Sequence, residues 1–66
     1  MGIYDVDVDE LRIDLAQAID RALDLADELA AAIEDGADAR DLAVRYREAA
    51  RHARGLRREL KTVVAG

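Results

Sequence analysis

Apolar residues recur along this chain at spacings that alternate between three and four, in two long stretches. The first stretch consists of Val8, Leu11, Leu15, Ala18, Ala22, Leu25, Leu29 and Ala32. The second consists of Ala39, Leu42, Tyr46, Ala49, Ala53, Leu56, Leu60 and Val63. An unbroken alternation of this kind is typical of helices that pack side by side as a left-handed coiled coil. The pattern predicts two long helices, each with one packing seam; together these sixteen residues are called the core seam.

Helix-ending residues separate the two stretches. Asp7 followed by Glu10 is a capping pair for the first helix, and Asp38 can cap the second. Gly36 suits the left-handed conformation that ends a helix. We therefore expect an extended arm over 1–7, a helix over 8–35, a turn over 36–38 and a helix over 39–64. Two seams of equal length joined by a short turn must face each other, which predicts an antiparallel hairpin. Gly55 lies inside the second helix, where a glycine indicates a kink or a close approach by another helix.

A second apolar row widens the apolar face of the first helix to roughly 160°. This apolar strip consists of Ala16, Ile19, Leu23, Ala26, Ala30 and Ile33. The second helix adds only Ala43, Ala50 and Val64, interrupted by Arg57. One partner helix cannot cover so wide an arc, so a lone hairpin would leave Ile19, Leu23 and Ile33 exposed, as at an interface.

The fold class we expect is all-α: an antiparallel, coiled-coil-like two-helix hairpin that dimerises into a four-helix bundle. In the competing interpretation, the helices of another protein cover the same strip. The residues expected to carry self-association are Leu15, Ile19, Leu23, Leu29, Ile33, Leu42, Leu56 and Leu60.

Length and composition limit the other possibilities. The chain has 66 residues and no Cys, so no disulfide or thiolate metal site supports its small core. Its longest apolar run, residues 29–33, falls far short of the roughly 20 residues that span a bilayer. No signal-peptide pattern occurs, which favours a cytoplasmic protein. Nine of the ten bases are Arg, and Asp outnumbers Glu ten to five, a composition that favours a bacterial or viral accessory protein from a GC-rich genome.

Charge is distributed unevenly about a net value of -5. Residues 1–36 carry -9 and residues 37–66 carry +4. The second helix has a basic row consisting of Arg47, Arg51, Arg54, Arg58 and Lys61, and the first has an acidic row consisting of Asp20, Asp24, Asp27 and Glu34. The basic row could follow a phosphate backbone or bind an acidic partner. The more ordinary interpretation is that it is solvated, or pairs with the acidic row within the hairpin or between subunits.

The arm over 1–7 alternates apolar and acidic residues, with Ile3, Tyr4 and Val6 as its apolar members. Such an arm can add to a sheet edge or lie in a groove of a partner. The simpler alternative is a loose lead-in whose Ile3 and Tyr4 fold back on the end of the bundle.

Catalysis has little support in the residue types. His52 is the only His, its spacing from Glu48 makes an ordinary i,i+4 surface pair, and the chain has no Ser and no glycine-rich loop. We therefore expect no enzyme activity, no metal and no cofactor. The expected function is that of a small assembly or adaptor protein that contacts itself and a larger protein. The alternatives are a regulatory or phage-type accessory protein that touches nucleic acid through the basic row, or one that inhibits a DNA-binding protein through the acidic face.

Overall fold

The computed structural model describes residues 8–65. Within that range the chain forms α1 (Val8–Glu34) and α2 (Arg40–Ala65), which pack against each other, and no strand. The predicted helical hairpin is confirmed, while its dimerisation into a four-helix bundle stays a prediction. The expected arm with Ile3, Tyr4 and Val6, and the capping residue Asp7, lie outside the described residues.

The end of α1 is a Schellman motif centred on Gly36, whose φ is 72°. The backbone N–H of Ala37 donates to the carbonyl oxygen of Ala32 at 2.9 Å, and that of Gly36 donates to the carbonyl of Ile33 at 3.1 Å. These two bonds satisfy carbonyls that have no partner inside the helix. The left-handed backbone at Gly36 reverses the chain and sends α2 back along α1.

Asp38 caps the start of α2. Its Oδ1 accepts a hydrogen bond from the backbone N–H of Arg40 at 3.1 Å. The guanidinium of Arg40 donates to both carboxylate oxygens, from Nε to Oδ1 at 3.1 Å and from Nη2 to Oδ2 at 2.9 Å. The guanidinium bonds, and then the backbone bond, hold the pKa of Asp38 below its ordinary value, and the same contact raises the pKa of Arg40. The turn is therefore closed by a glycine on one side and a charged cap on the other.

The core of the hairpin is the core seam. All sixteen seam residues are buried or half-buried, and Leu11, Ala18, Leu25 and Ala49 are the most enclosed of the described residues. Three other described residues are half-buried, and all three are alanines: Ala26, Ala43 and Ala50. The remaining described residues are exposed. Packing in the hairpin is thus limited to one row of contacts along each helix.

This single row leaves the molecule with a large surface. The accessible surface is 5441 Å², whereas a compact protein of 7.2 kDa has about 4,100 Å². None of the described side chains is fully enclosed. A two-helix layer has no second layer above it, so each helix keeps more than half of its circumference in water.

Gly55 does not mark a close helix approach within the hairpin. A Cβ placed on it would meet no atom within 4 Å, and the residue is exposed within a continuous helical segment. Within the hairpin there is no close approach at Gly55, because Gly55 lies away from the core seam and its missing side chain makes no room for α1.

Candidate interaction surface

The two flanks of the hairpin, where α1 and α2 meet on either side of the core seam, differ in chemistry. On one flank, Arg21 of α1 lines a shallow groove together with Arg45, Glu48 and His52 of α2. An adjoining groove on the same flank is lined by Asp14, Gln17, Ala18, Arg21, His52 and Leu56. This polar flank keeps charged side chains in water while it covers the edge of the seam.

The opposite flank is apolar. In an antiparallel pair of helices, the residues that flank the seam on one side of the first helix lie next to the flanking residues of the second helix on that same side. On this side α1 places Ile19 and Ala26, and α2 places Ala43 and Ala50. Three of these four are the half-buried alanines, and small side chains make the surface of α2 shallow here. The apolar strip of α1 therefore borders a low alanine surface on α2.

The largest members of the apolar strip project from the hairpin. Ile19 is 43% exposed, Leu23 is 58% exposed and Ile33 is 64% exposed. Ala16 and Ala30 are exposed as well, so that the strip continues over several turns of α1. Its members alternate by three and four, as the core seam does, which is the spacing that a further packed helix requires.

The eight residues expected to carry self-association divide into two groups. Leu15, Leu29, Leu42, Leu56 and Leu60 are half-buried members of the core seam, so they hold the hairpin itself together. Ile19, Leu23 and Ile33 remain exposed. These three are therefore the members of the set that can make a direct contact with a partner.

Charged side chains border the apolar strip on both sides. Beyond it on the outer face of α1 lie Asp20, Asp27 and Glu34, here called the acidic edge; Asp20 also lines a groove on the polar flank with Arg21 and Arg45. Beyond the alanine surface on α2 lie Arg47, Arg54 and Lys61, here called the basic edge. All six are exposed.

No ion pair joins the acidic row to the basic row within residues 8–65. The ion pairs found there are local: Arg12 with Asp9, Arg40 with Asp38 and Arg45 with Asp41. The pairing of the two rows inside one hairpin, considered above, is therefore not formed. The width of the hairpin separates them, because they lie on the outer sides of different helices.

Part of the basic row, together with the neighbouring Arg57, forms a cationic groove. Arg54, Arg57, Arg58 and Lys61 line one shallow depression near the end of α2. Arg47 and Arg51 continue the exposed positive charge toward the turn. Four neighbouring cations can attract a polyanion. None of the residues that line this groove is aromatic, so the groove offers no side chain on which a base could stack.

Two exposed apolar residues escaped the sequence-based reasoning. Ile13 is 57% exposed and Val44 is 50% exposed, and each lies on the outer face of its helix, opposite the core seam. Neither belongs to a row with 3-4 spacing, so the periodicity carries no signal for them. Isolated exposed apolar residues are common on protein surfaces and need no partner.

Residue chemistry in the described chain is sparse. Residues 8–65 contain no group of three or more His, Asp or Glu side chains placed to hold a metal ion. Neither α1 nor α2 is long and apolar enough to cross a membrane. Tyr46 is half-buried in the core seam, and His52 is exposed on the polar flank. No protein-family model, curated protein or solved structure matches the chain.

Proposed function

We propose that this chain is a non-enzymatic assembly protein that self-associates through the apolar strip of α1 and presents its charged outer faces to a larger protein. The observation that carries the proposal is the exposure of Ile19, Leu23 and Ile33 beside a core seam that is already covered. The hairpin uses one of its two 3-4 rows and leaves the other available for packing.

The energetics favour covering the strip. Fully burying a Leu or Ile side chain stabilises by about 1.5–3 kcal/mol, so covering the exposed half of each of these three residues contributes about 1 kcal/mol. A symmetric dimer gains this contribution twice, once from each copy. A hairpin with so small a core gains more from such a contact than a larger domain does.

The direct test is molar mass by light scattering over a wide range of protein concentration. We expect the native chain to form dimers, and the double variant Ile19→Asp with Leu23→Asp to be monomeric or unfolded. Two buried carboxylates in each copy would each have to lose their hydration at the interface, which opposes association strongly.

Val44→Asp is the matched control, because Val44 is 50% exposed, between Ile19 and Leu23, but lies on the outer face of α2, opposite the core seam. This variant should keep the native mass. An unchanged oligomer in the double variant, or loss of the oligomer in Val44→Asp, contradicts self-association through the strip. A native chain that stays monomeric at high concentration contradicts the proposal as a whole.

A second candidate function is contact with nucleic acid, and the specific observation in its favour is the cationic groove of Arg54, Arg57, Arg58 and Lys61. This hypothesis predicts binding to a duplex or single strand at low salt that weakens steeply as salt rises. Arg57→Glu with Arg58→Glu, which reverses two of the four charges in the groove, should abolish that binding. Arg12→Glu with Arg21→Glu changes the net charge equally on α1 and should retain more of it. Absence of binding at low salt, or equal loss in both double variants, argues against a role for the groove.

A further inference from the structure

We infer that the occupant of the apolar strip is a second copy lying parallel to the first, with both turns at the same end and the acidic edge of each copy along the basic edge of the other. In this arrangement α1 of each hairpin packs on α2 of its partner. The inference rests on the proposed self-association and adds to it an orientation and a set of contacts.

The first step concerns the position of the two edges. The strip and the alanine surface form one continuous face, with Asp20, Asp27 and Glu34 on the α1 side and Arg47, Arg54 and Lys61 on the α2 side. A two-fold axis parallel to the helices turns one copy onto the other and exchanges the two sides. The acidic edge of each copy then lies along the basic edge of its partner, on both long sides of the interface.

The second step concerns register along the helices. Counted outward from the turn, Ala32 is opposite Ala39 and Leu25 is opposite Tyr46, in agreement with the shared grooves on the polar flank. An axis parallel to the helices keeps every residue at its own height. Asp20 then falls between the heights of Arg47 and Arg54 in the second copy, within about 6 Å of each along the axis at 1.5 Å per residue. Arginine side chains are long enough to span that offset.

The third step concerns shape. Within about 3 Å along the axis at 1.5 Å per residue, Ile19 of one copy comes beside Ala50 of the other, and Ala26 comes beside Ala43. Ile19 therefore meets a small side chain across the interface, and the two alanines let the helices approach closely. Leu23, at the outer part of the strip, comes level with Arg47, whose aliphatic stem can cover it while the guanidinium extends to an aspartate.

The opposite orientation lacks this complementarity. If the two copies were antiparallel, α1 would pack on α1 and α2 on α2. The acidic edges would then lie against each other, and so would the basic edges. Like charges placed together in this way oppose association, whereas opposite charges select the orientation and speed the encounter. The absence of ion pairs between the two rows within one hairpin leaves both edges free to make these contacts with another copy.

A distance measurement tests the orientation directly. The chain contains no Cys, so Asp35→Cys introduces a single exposed labelling site beside the turn. Spin labels in the parallel dimer should lie about 25 Å apart, because the two turns share one end of a four-helix bundle. In an antiparallel dimer the labels are separated by the length of the helices, about 40 Å or more.

Charge reversal tests the contacts independently. Asp20→Arg with Asp27→Arg, and separately Arg47→Glu with Arg54→Glu, should each raise the dimer dissociation constant about tenfold or more, and an equimolar mixture of the two variants should restore dimers. Arg51→Glu with Arg58→Glu, on the outer face of α2, is the control that leaves the dissociation constant unchanged. Antiparallel dimers, or homodimers that neither reversal weakens, overturn the orientation and leave self-association standing. A native chain that is monomeric overturns both.

Discussion

Gly36 and Gly55 are in opposite conformational situations, and this difference decides what a methyl group would do at each. Gly36 has a φ of 72°, which L-residues adopt at a cost of about 1–2 kcal/mol, so Gly36→Ala should lower the free energy of unfolding by about that amount. Gly55 is helical and faces open space, so Gly55→Ala should raise it by about 0.5–1 kcal/mol. Urea unfolding of both variants at one protein concentration measures the two signs, and two shifts of the same sign contradict this assignment.

Asp38 should make the free energy of unfolding of the hairpin depend on pH in the acidic range. Its pKa is lowered by the Arg40 guanidinium, so folding favours the ionised carboxylate. A group whose pKa is depressed by folding stabilises the folded state at pH values above its unfolded pKa of about 3.9, and this stabilisation is lost as the pH falls through the lower folded value.

The comparison of native protein with Asp38→Asn isolates this effect, because Asn can still cap the helix but does not titrate. The stability advantage of the native protein should be constant above about pH 5 and should shrink below pH 4. Asp24→Asn removes an exposed carboxylate on α1, away from the turn, and serves as the control for the change in net charge. If the advantage of Asp38 does not vary with pH, the cap does not act through its charge.

At the level of the helices, Leu23 and Leu25 separate packing within the hairpin from packing outside it. Leu25 is 7% exposed in the core seam, so Leu25→Ala should lower the free energy of unfolding by about 2–4 kcal/mol at any protein concentration. Leu23→Ala removes the same atoms from an exposed position and should act through self-association alone. Chemical unfolding at low and high protein concentration distinguishes them. A large effect of Leu23→Ala on dilute monomer would contradict this division.

The helices and the core seam follow from the sequence because both depend on short-range spacing. The 3-4 alternation that predicts the seam includes every residue that the hairpin buries or half-buries except three flanking alanines, since each helix has one strongest apolar row and a short turn forces the rows together. Gly36 and Asp38 are similarly local signals, for each satisfies backbone groups within a few residues of itself.

The same reasoning could not separate the leucines of the candidate site or interpret Gly55. Leu15 and Leu23 are alike as residue types, and their roles differ only because one faces α2 and the other lies a quarter-turn beyond the contact. For Gly55, propensity alone indicates that a glycine in a helix needs a reason, but whether a neighbour approaches depends on which side of the helix it occupies. Exposure in three dimensions decides both cases.

For the whole molecule, the proposed self-association predicts that folding and association are linked. In the proposed dimer a second copy binds the folded hairpin and not the unfolded chain, so mass action would stabilise the fold as the protein concentration rises. The thermal midpoint of the native chain should therefore increase with concentration, whereas a hairpin that stays monomeric would unfold at one temperature throughout.

Variants at matched exposure show whether the apolar strip causes this dependence. Val44→Asp should keep the rise of the midpoint with concentration, and Ile19→Asp with Leu23→Asp should abolish it, since the proposed association covers the strip and leaves Val44 in water. Added salt should lower the midpoint at a fixed concentration, because screening weakens the contacts between the acidic and basic edges. Circular dichroism melts over a hundredfold range of concentration measure all three effects. A midpoint independent of concentration in the native chain would show that the hairpin is stable without a second copy and would remove the physical reason for self-association.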